Sequence, residues 1–442
     1  MANIVVALYR LAKDPYIPNS LPPYYEGFIK GLVKSGNHVL CYFHEIHSTD
    51  LDFAGKEIPD VILTKLKDFN PELFILFNYD FYDCSKEFNV PVIVFDVDSP
   101  NRFHNKGAIE AQPDRYLFAT IQKSDIDLIK QNFNVNDNQI KYIKPFTELH
   151  NDSENIVLQN NIGFCGSHWL WNGCESIYNF MKLKPTTKER LMAQTVLKEY
   201  KKNPLKDIKD IYNEFGYSPD RYLENYKSLM TGRLSGLKRA EYLTHISDLG
   251  LEIRGEYWNH ASLNFFPEIA LCYNNQPTLT IFENENFYNS CKIGFNTNHL
   301  QARSGFSWRV CDIMASNACL VSESTPDLKE IGMRLGMMLY TSKEEAREQC
   351  IKLLNNENLR KELVCASNEF INNNHRFRHI LPEIEEISSL DLQSMNEGTV
   401  EFINFTKYMD DKANSKKISL SDRIERKIWS LLERDLKNKN II

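Results

Sequence analysis

The sequence predicts an α/β protein with two doubly wound, parallel-sheet domains. Short segments that are apolar at every position alternate with amphipathic segments of helical length along most of the chain. Strands of this kind are typical of parallel sheets that helices cover on both faces. The alternation lapses in a polar stretch near residues 148–154 and then resumes, and 442 residues are enough for two or three domains with full cores.

The first predicted domain comprises residues 1–150 and begins with the apolar strand at residues 2–9. An amphipathic helix follows from about Tyr24 to Lys34, and Ser35-Gly36-Asn37 is a typical helix end. Further strands are predicted at the apolar segments 38–43, 73–77, 91–95, 116–119 and 140–143. The domain contains no GxGxxG sequence, so the pattern gives no reason to expect a dinucleotide.

The second predicted domain comprises residues 151–380 and restarts the alternation with a strand that ends at Gly166-Ser167. Residues 168–235 do not fit the alternation and are rich in Lys, Tyr and Glu, which predicts a helical insertion with helices near 188–200 and 220–230. After it we expect a helix over 236–249. The predicted strands that follow lie at 251–255, 293–296, 318–321 and 337–340.

The third predicted segment, residues 381–442, is polar and shows no strand signals. Its last part, Leu420 to Leu436, is an amphipathic helix in a locally basic stretch. Two interpretations stay open for this helix. Either it packs back across the first domain, or Trp429 and the lysines contact a membrane surface, which would make the protein peripheral to the membrane.

Composition favours a cytoplasmic protein. The net charge of −7 argues against nucleic acid as the main partner. No apolar run approaches the roughly 20 residues that span a bilayer, and the chain starts directly with a strand instead of a signal peptide. The ten cysteines are scattered without a CxxC pair, which predicts free thiols and no zinc site.

One stretch, residues 287–327, has the order strand, loop, helix, strand. Ile293 to Asn296 is the first strand, Gly305 marks the turn into the helix, and Arg309 and Asp312 share one edge of that helix. Ligands of open α/β sheets bind at the carboxyl ends of the strands, and helix N-termini attract phosphate. The stretch therefore predicts a phosphate-binding site.

These residues also carry a family resemblance. Tyr288, Lys292-Ile293 and Asn296, followed by Gly305, Arg309 and Asp312-Ile313-Met314-Ala315, resemble the donor-binding half of GT-B glycosyltransferases, and in particular the CgeB-like group. The resemblance covers roughly residues 160–380 without 168–230. It implies a GT-B fold, in which two Rossmann-like domains face a cleft, with Arg309 on the diphosphate of a nucleotide-sugar donor and Asp312 on its ribose. The chain has Asp312 where glutamate is usual, and Ser316-Asn317 where a Cys-Gly pair is common.

The predicted donor-binding residues share glycine, hydrogen-bonding or cationic chemistry near predicted strand ends. Glycines let a ligand approach the backbone, and backbone N–H groups of a loop bind phosphate. The guanidinium of Arg309 is a permanently charged fork that can also stabilise a departing nucleotide, so this residue is predicted to be catalytic as well. The predicted set is Gly166, Ser167, Gly255, Tyr257 (for the base), Lys292, Asn296, Ser304, Gly305, Arg309 and Asp312.

Asp98 is the candidate general base. It follows the fourth predicted strand, and an inverting transferase needs a carboxylate or histidine to take the proton of the acceptor hydroxyl. Strand alternation would place Asp96 and Asp98 on the same face, where one carboxylate could raise the pKa of the other. In the alternative interpretation Asp98 only caps the turn at Ser99-Pro100.

We therefore expect a glycosyltransferase that moves a sugar from a nucleotide-activated donor to a saccharide, a lipid-linked saccharide or a protein, in bacterial surface-glycan synthesis. The resemblance implies that it needs no metal and no other cofactor. The donor nucleotide stays open among UDP, GDP, dTDP and CMP. A non-catalytic scaffold that binds nucleotide sugars is the main alternative, since two positions depart from the family pattern. A sugar-nucleotide epimerase is the other.

Overall fold

A computed structural model describes most of the chain. The described residues are 1–8, 21–43, 60–78, 84–98, 100, 107–151, 158–168, 186–202, 211, 213–216, 223–255, 258, 266–276, 278 and 280–403. They form one compact unit over Met1–Glu401, and a second unit, Phe402–Ile442, of which only residues 402 and 403 are described. The predicted helix over 420–436 and its membrane contact lie outside these residues, as does Tyr257.

Twelve strands and thirteen α-helices follow one another along the described residues. The strands are β1 (Asn3–Leu8), β2 (His38–Phe43), β3 (Leu73–Phe77), β4 (Val92–Asp96), β5 (Tyr116–Thr120), β6 (Ile140–Tyr142), β7 (Asn160–Cys165), β8 (Leu251–Arg254), β9 (Cys291–Asn296), β10 (Cys319–Glu323), β11 (Met338–Tyr340) and β12 (Thr399–Phe402). The helices are α1 (Pro23–Lys34), α2 (Asp60–Phe69), α3 (Gly107–Ala111), α4 (Asp125–Phe133), α5 (Thr187–Lys202), α6 (Leu223–His245), α7 (Pro267–Ala270), α8 (Ile281–Asn289), α9 (Trp308–Met314), α10 (Pro326–Leu335), α11 (Lys343–Leu354), α12 (Glu357–Asn374) and α13 (Leu381–Ser388).

The first sheet has seven strands in the order β12-β2-β1-β3-β4-β5-β6. The pairs from β2 to β6 are all parallel, with Ile4 of β1 opposite Val39 on one side and Leu73 on the other. Every residue of β3 and β4 is buried, as a sheet covered on both faces requires. The predicted doubly wound parallel sheet is confirmed for this half of the molecule.

The second sheet has five parallel strands in the order β11-β10-β9-β7-β8. Strand β9 lies in the middle, so its last residue, Asn296, is at the centre of the edge formed by the carboxyl ends. Two apolar clusters, one on each side of the sheet, cover it: Ile162, Phe295 and Val321 belong to the first, and Ile313 and Leu320 to the second.

Two predictions from the sequence are wrong. Residues 220–249 were expected to form two helices, but α6 runs unbroken from Leu223 to His245. Gly232 and Gly236 lie inside it, because a glycine weakens a helix by only about 1 kcal/mol and does not have to end it. The segment after residue 380 was expected to lack strands, but β12 joins the edge of the first sheet beside β2. This strand is short and mostly exposed, so it has no apolar signal for a sequence pattern to reveal.

The segment after α12 returns to the first sheet and packs on α1. The ring of Phe377 is buried against Gly31 of α1, where a Cβ atom would lie 2.2 Å from the ring carbon Cγ. Further along, Gly398 donates its backbone N–H to Val33 O, and Asn37 donates from Nδ2 to Leu392 O at 2.8 Å. Residues more than 350 positions apart therefore share one core.

No helix within the described ranges is both long enough and apolar enough to span a bilayer.

A pair of alanine substitutions in α1 tests the packing of the returning segment. We expect Gly31→Ala to destabilise the protein by roughly 1–3 kcal/mol, because its methyl group would overlap the buried Phe377 ring. Gly27→Ala is the matched control, since a Cβ atom there would meet Glu148 at an ordinary 3.5 Å and would gain up to about 1 kcal/mol of helix propensity. Urea unfolding measures both; equal stabilities for the two variants would contradict the packing described.

Candidate functional site

The carboxyl ends of the strands of the second sheet meet around the ring of Phe164. Strand β7 is followed by Gly166 and Ser167, and β9 by Thr297, while α9 begins at Trp308. Helix α9 has only seven residues, and no side chain caps its N-terminus. A helix this short provides little charge for a ligand. Positive charge at this edge must therefore come from side chains.

Arg309 supplies one of these charges. Its Nε donates to Cys165 O at 2.5 Å, its Nη1 donates to Asn296 Oδ1 at 3.0 Å, and its guanidinium lies 5.1 Å from the centroid of the Phe164 ring. The structure therefore brings Arg309, Asn296 and the turn at Gly166 together, as the sequence predicts. Within the described ranges no carboxylate forms an ion pair with Arg309. Its partners are neutral, so its charge is available to a ligand.

Arg239 of α6 supplies a second charge, which the sequence analysis missed. It donates from Nη1 to Ser167 O and from Nη2 to Thr297 O at 3.4 Å, and its guanidinium lies 5.4 Å from the Phe164 centroid. The side chain is only 3% exposed, and this burial, followed by the charge of Arg309, lowers its pKa to about 9. A signal existed in the sequence. At helical spacing Arg239 shares a face with Leu243 and Ile246, so a cation stands on a buried apolar face.

Three buried polar atoms near the two arginines have no hydrogen-bond partner among the described residues. They are Arg239 Nε, Thr297 Oγ1 and Tyr288 Oη. Tyr288 is close enough to Arg309 and Asp312 for both charges to act on its phenol, whose pKa burial raises well above the ordinary value. An unsatisfied buried donor or acceptor costs about 1–3 kcal/mol. A polar ligand or a water molecule at this position would satisfy these groups.

Asp312 lies one turn after Arg309 but does not form an ion pair with it. Asp312 is only 8% exposed, and the hydroxyl of Thr147 donates a hydrogen bond to its Oδ1 at 2.6 Å. Burial raises the pKa of this carboxyl to about 6, while the hydrogen bond from Thr147 and the charge of Arg309 act in the opposite direction. The pair thus provides a cation with neutral partners beside a carboxyl that titrates near neutral pH.

Two glycines of the predicted set are required by close backbone approach. Gly255 has a φ of +125°, and a Cβ atom there would lie 2.6 Å from Gly166 O. Trp258 Nε1 donates to the same oxygen at 2.6 Å, so this buried indole supports the turn. At Gly166 itself a Cβ atom would lie 2.5 Å from Arg309 Nη2. The two turns therefore depend on glycine to bring the arginine to the sheet edge.

The structure does not bring Lys292 to this site. Lys292 is at the opposite end of β9 from Asn296, about 13 Å away along the strand. Its Nζ donates to Asn161 Oδ1 at 2.9 Å, and it lines a separate 730 Å³ cavity beside α12. Two residues at opposite ends of one strand, such as Lys292 and Asn296, are therefore too far apart to contact the same phosphate group.

Ser304 and Gly305 face the first half of the molecule. The hydroxyl of Ser304 accepts from Ser124 N at 3.0 Å and donates to Asp327 Oδ2 at 3.2 Å. A Cβ atom at Gly305 would lie 2.7 Å from Ile121 O. The loop that contains Ser304 and Gly305 belongs to the second half of the molecule and contacts the residues that follow β5 in the first half. These contacts hold the two halves together.

Asp98 lies just beyond the carboxyl end of β4. Its Oδ2 accepts from Asn78 Nδ2 at 2.8 Å, and its Oδ1 accepts from Gln301 Nε2 at 3.1 Å. The strand ends at Asp96, whose carboxylate instead accepts from Thr120 Oγ1 at 3.2 Å, so strand alternation does not extend to Asp98. Gln301 belongs to the second half of the molecule, and Asp98 is therefore at the junction of the two halves.

Among the residues that the structure describes, no three His, Cys, Asp or Glu side chains are close enough together to hold a metal ion.

Comparison with known proteins gives the fold. Residues 238–386 match the family described as glycosyl transferase-like. A search of curated proteins finds no match. The chain is similar to T4 phage BGT, solved in complex with UDP and Mn²⁺, with a TM-score of 0.50, 10% identity, and coverage of 88% of this chain and 99% of that chain. It is similar to sucrose-phosphate synthase from Thermosynechococcus elongatus, with a TM-score of 0.50, 10% identity, and coverage of 87% and 98%.

The predicted GT-B fold is confirmed by these likenesses and by the two parallel sheets of seven and five strands. The likeness to the CgeB-like group stays a prediction.

The pKa of Asp312 predicts a pH-dependent stability difference. A folded-state pKa of about 6, raised from 3.8, means that the native state holds this proton more tightly than the unfolded chain does, so the group's contribution to stability is greatest at low pH and is lost as pH rises through 6. We expect the stability of Asp312→Asn relative to wild type to rise by about 2 kcal/mol between pH 4.5 and pH 7.5, because most of the titration of the folded-state carboxyl falls within this range. Urea unfolding at both pH values measures this gain.

Exposed Asp114 provides the control, since Asp114→Asn removes a carboxylate that water already solvates. The same stability difference at both pH values for Asp312→Asn would show that its carboxyl does not titrate in this range.

Proposed function

We propose that the chain is a glycosyltransferase that binds a nucleoside-diphosphate sugar at the carboxyl edge of the second sheet. The observation that carries this proposal is the convergence of Arg309 and Arg239 on the ring of Phe164, with only carbonyl and carboxamide oxygens as hydrogen-bond partners in the described ranges. Two adjacent cations repel each other and are costly to bury without an anion. A diphosphate supplies the missing negative charge.

The chemistry follows from where that charge lies. In glycosyl transfer the bond between the sugar C1 and the phosphate oxygen breaks, and the diphosphate leaves with the electron pair. Guanidinium groups that are already fixed beside the leaving group stabilise the growing charge without having to reorganise. Asn296 and Cys165 fix Arg309, and the carbonyls of Ser167 and Thr297 fix Arg239. This supply of positive charge is our reason to expect transfer that does not require a bound metal.

Asp98 is the proposed general base for the acceptor. It lies at the carboxyl edge of the first sheet, and Gln301 ties it to the loop that leads to α9. The acceptor hydroxyl would replace the carboxamide of Gln301 at Oδ1 and pass its proton to the carboxylate. We propose a saccharide, free or lipid-linked, or a protein as the acceptor, as expected from the family resemblance.

A second candidate function, a non-catalytic scaffold that binds nucleotide sugars, has one observation in its favour. Both oxygens of Asp98 already accept hydrogen bonds from carboxamides, so an acceptor hydroxyl would have to displace one of them. The two functions differ in turnover. A transferase releases nucleotide in the presence of an acceptor, whereas a scaffold binds the donor and leaves it intact.

Arginine substitutions test the proposed function. Wild-type protein is screened for release of UDP, GDP, dTDP or CMP from the corresponding sugars with a set of saccharide acceptors. We expect Arg309→Ala to lower kcat by roughly two or more orders of magnitude, as loss of a charge-stabilising donor does. Arg239→Met keeps the volume of the side chain in the core and should lower kcat by at least about tenfold for the same reason.

Arg347→Ala is the matched control, because this arginine pairs with Asp248 on the surface and should be dispensable for turnover. Full turnover by Arg309→Ala would refute the assignment. Tight binding of a nucleotide sugar with no release of nucleotide by wild type would favour the scaffold.

A further inference from the structure

The carboxylate of Asp312 is held by a residue from outside the second sheet. Thr147 lies on the segment between β6 and β7, which joins the two halves of the molecule, and its hydroxyl reaches Asp312 Oδ1 at 2.6 Å. No family pattern in the sequence points to this threonine. It is 5% exposed, so its hydroxyl is withdrawn from solvent.

The direction of the hydroxyl proton is determined by a second hydrogen bond. Leu149 donates its backbone N–H to Thr147 Oγ1 at 3.0 Å, so the hydroxyl accepts on one side and its only proton is directed to Asp312. Oδ1 of the carboxylate is thereby occupied as an acceptor. Oδ2 takes no hydrogen bond from any residue that the structure describes.

The backbone of Thr147 is fixed from both sides. Its N–H donates to His375 O at 3.0 Å, and its carbonyl accepts from Arg376 Nη1 at 2.9 Å. Arg376 also donates to Leu149 O at 2.5 Å, and its Nε and Nη2 bind Asn372 Oδ1. The threonine therefore presents its hydroxyl from a rigid support at the end of α12.

We propose that Thr147 is a positioning residue for nucleoside recognition: by holding Oδ1 of Asp312 it keeps Oδ2 available for the ribose contact that the family resemblance implies for this carboxylate. This inference rests on the proposed function, since it places the diphosphate on Arg239 and on Arg309, which lies one helical turn before Asp312. The segment that joins the two halves then takes part in recognising the nucleoside, and the phosphates are recognised without it.

The electrostatic surroundings of Asp312 give the proposal a second readout. The charged groups that act on it are Arg309 of its own helix, Arg376 at the end of α12, and Glu285 of α8. The neighbouring thiols of Cys165 and Cys311 and the phenol of Tyr288 have pKa values raised by burial, so they stay neutral near pH 7. The bond from Thr147 keeps the pKa of Asp312 from rising further. A ribose hydroxyl donates best to the unprotonated carboxylate, so affinity should fall as pH drops below about 6.

Calorimetric titration of the full chain at pH 7.5 tests the inference with UDP, GDP, ADP and inorganic pyrophosphate as probes. For the nucleoside diphosphate that wild type binds best, we expect Thr147→Val to weaken binding by about 10-fold or more, the usual loss for a hydrogen bond to a charged group. Affinity for pyrophosphate, which has no ribose, should stay within about twofold of wild type, and Thr147→Ser should restore nucleotide affinity to within about threefold.

The pH dependence separates positioning from general damage. With Thr147→Val the midpoint of the loss of nucleotide affinity should move to higher pH, while Thr147→Ser should keep the wild-type midpoint. An equal loss for pyrophosphate and nucleotide, or nucleotide binding unaffected by Thr147→Val, would overturn the inference and leave the proposed function standing. If wild type binds none of the nucleoside diphosphates, the proposed function fails and the inference fails with it.

Discussion

The candidate site depends on two guanidinium groups, one buried and one half-buried, that hydrogen-bond to no carboxylate in the part of the chain that the structure describes. Arg309 and Arg239 lie against the same aromatic ring, and backbone carbonyls and one carboxamide hold them in place. Such an arrangement is unfavourable for the empty protein and becomes favourable when an anion arrives. The glycines at 166 and 255 serve the same end, because a larger residue at either position would displace the backbone that receives Arg309 or the turn beside it.

Residues outside the second sheet also contribute to the site. Thr147 reaches Asp312 from the connecting segment, Gln301 reaches Asp98 from the opposite side, and Ser304 accepts from the backbone of Ser124. Each of these bonds joins residues more than 160 positions apart and is at least partly sheltered from water, where a polar interaction is worth more than on the surface. A change in the relative placement of the two halves would therefore alter the surroundings of both the Asp312 carboxylate and the candidate base, Asp98.

The strands of the two sheets could be predicted from the sequence more completely than the residues of the candidate site. The strands were predictable because β3 is apolar at every position and β1 and β4 are apolar at every position but one, and the turn before α9 was predictable from Gly305 and the helix after it. Arg239 was not found because its helix was judged by its apolar residues alone. Lys292 was included with Asn296 because it is a cation near an end of the same strand, but an extended strand holds these two residues about 13 Å apart. Thr147 could not be found, since nothing local links it to Asp312.

The return of the chain to the first sheet affects the order in which the protein can fold. Strand β2 is an outer strand until Gly398 and the residues after it arrive, and an uncovered strand edge readily pairs with other chains. On the ribosome, the first half emerges long before these residues do, and synthesis at about 5–20 residues per second leaves a gap of many seconds. During that interval α1 also lacks the ring of Phe377, so the nascent half is exposed at the very surface that the last part of the compact unit later covers.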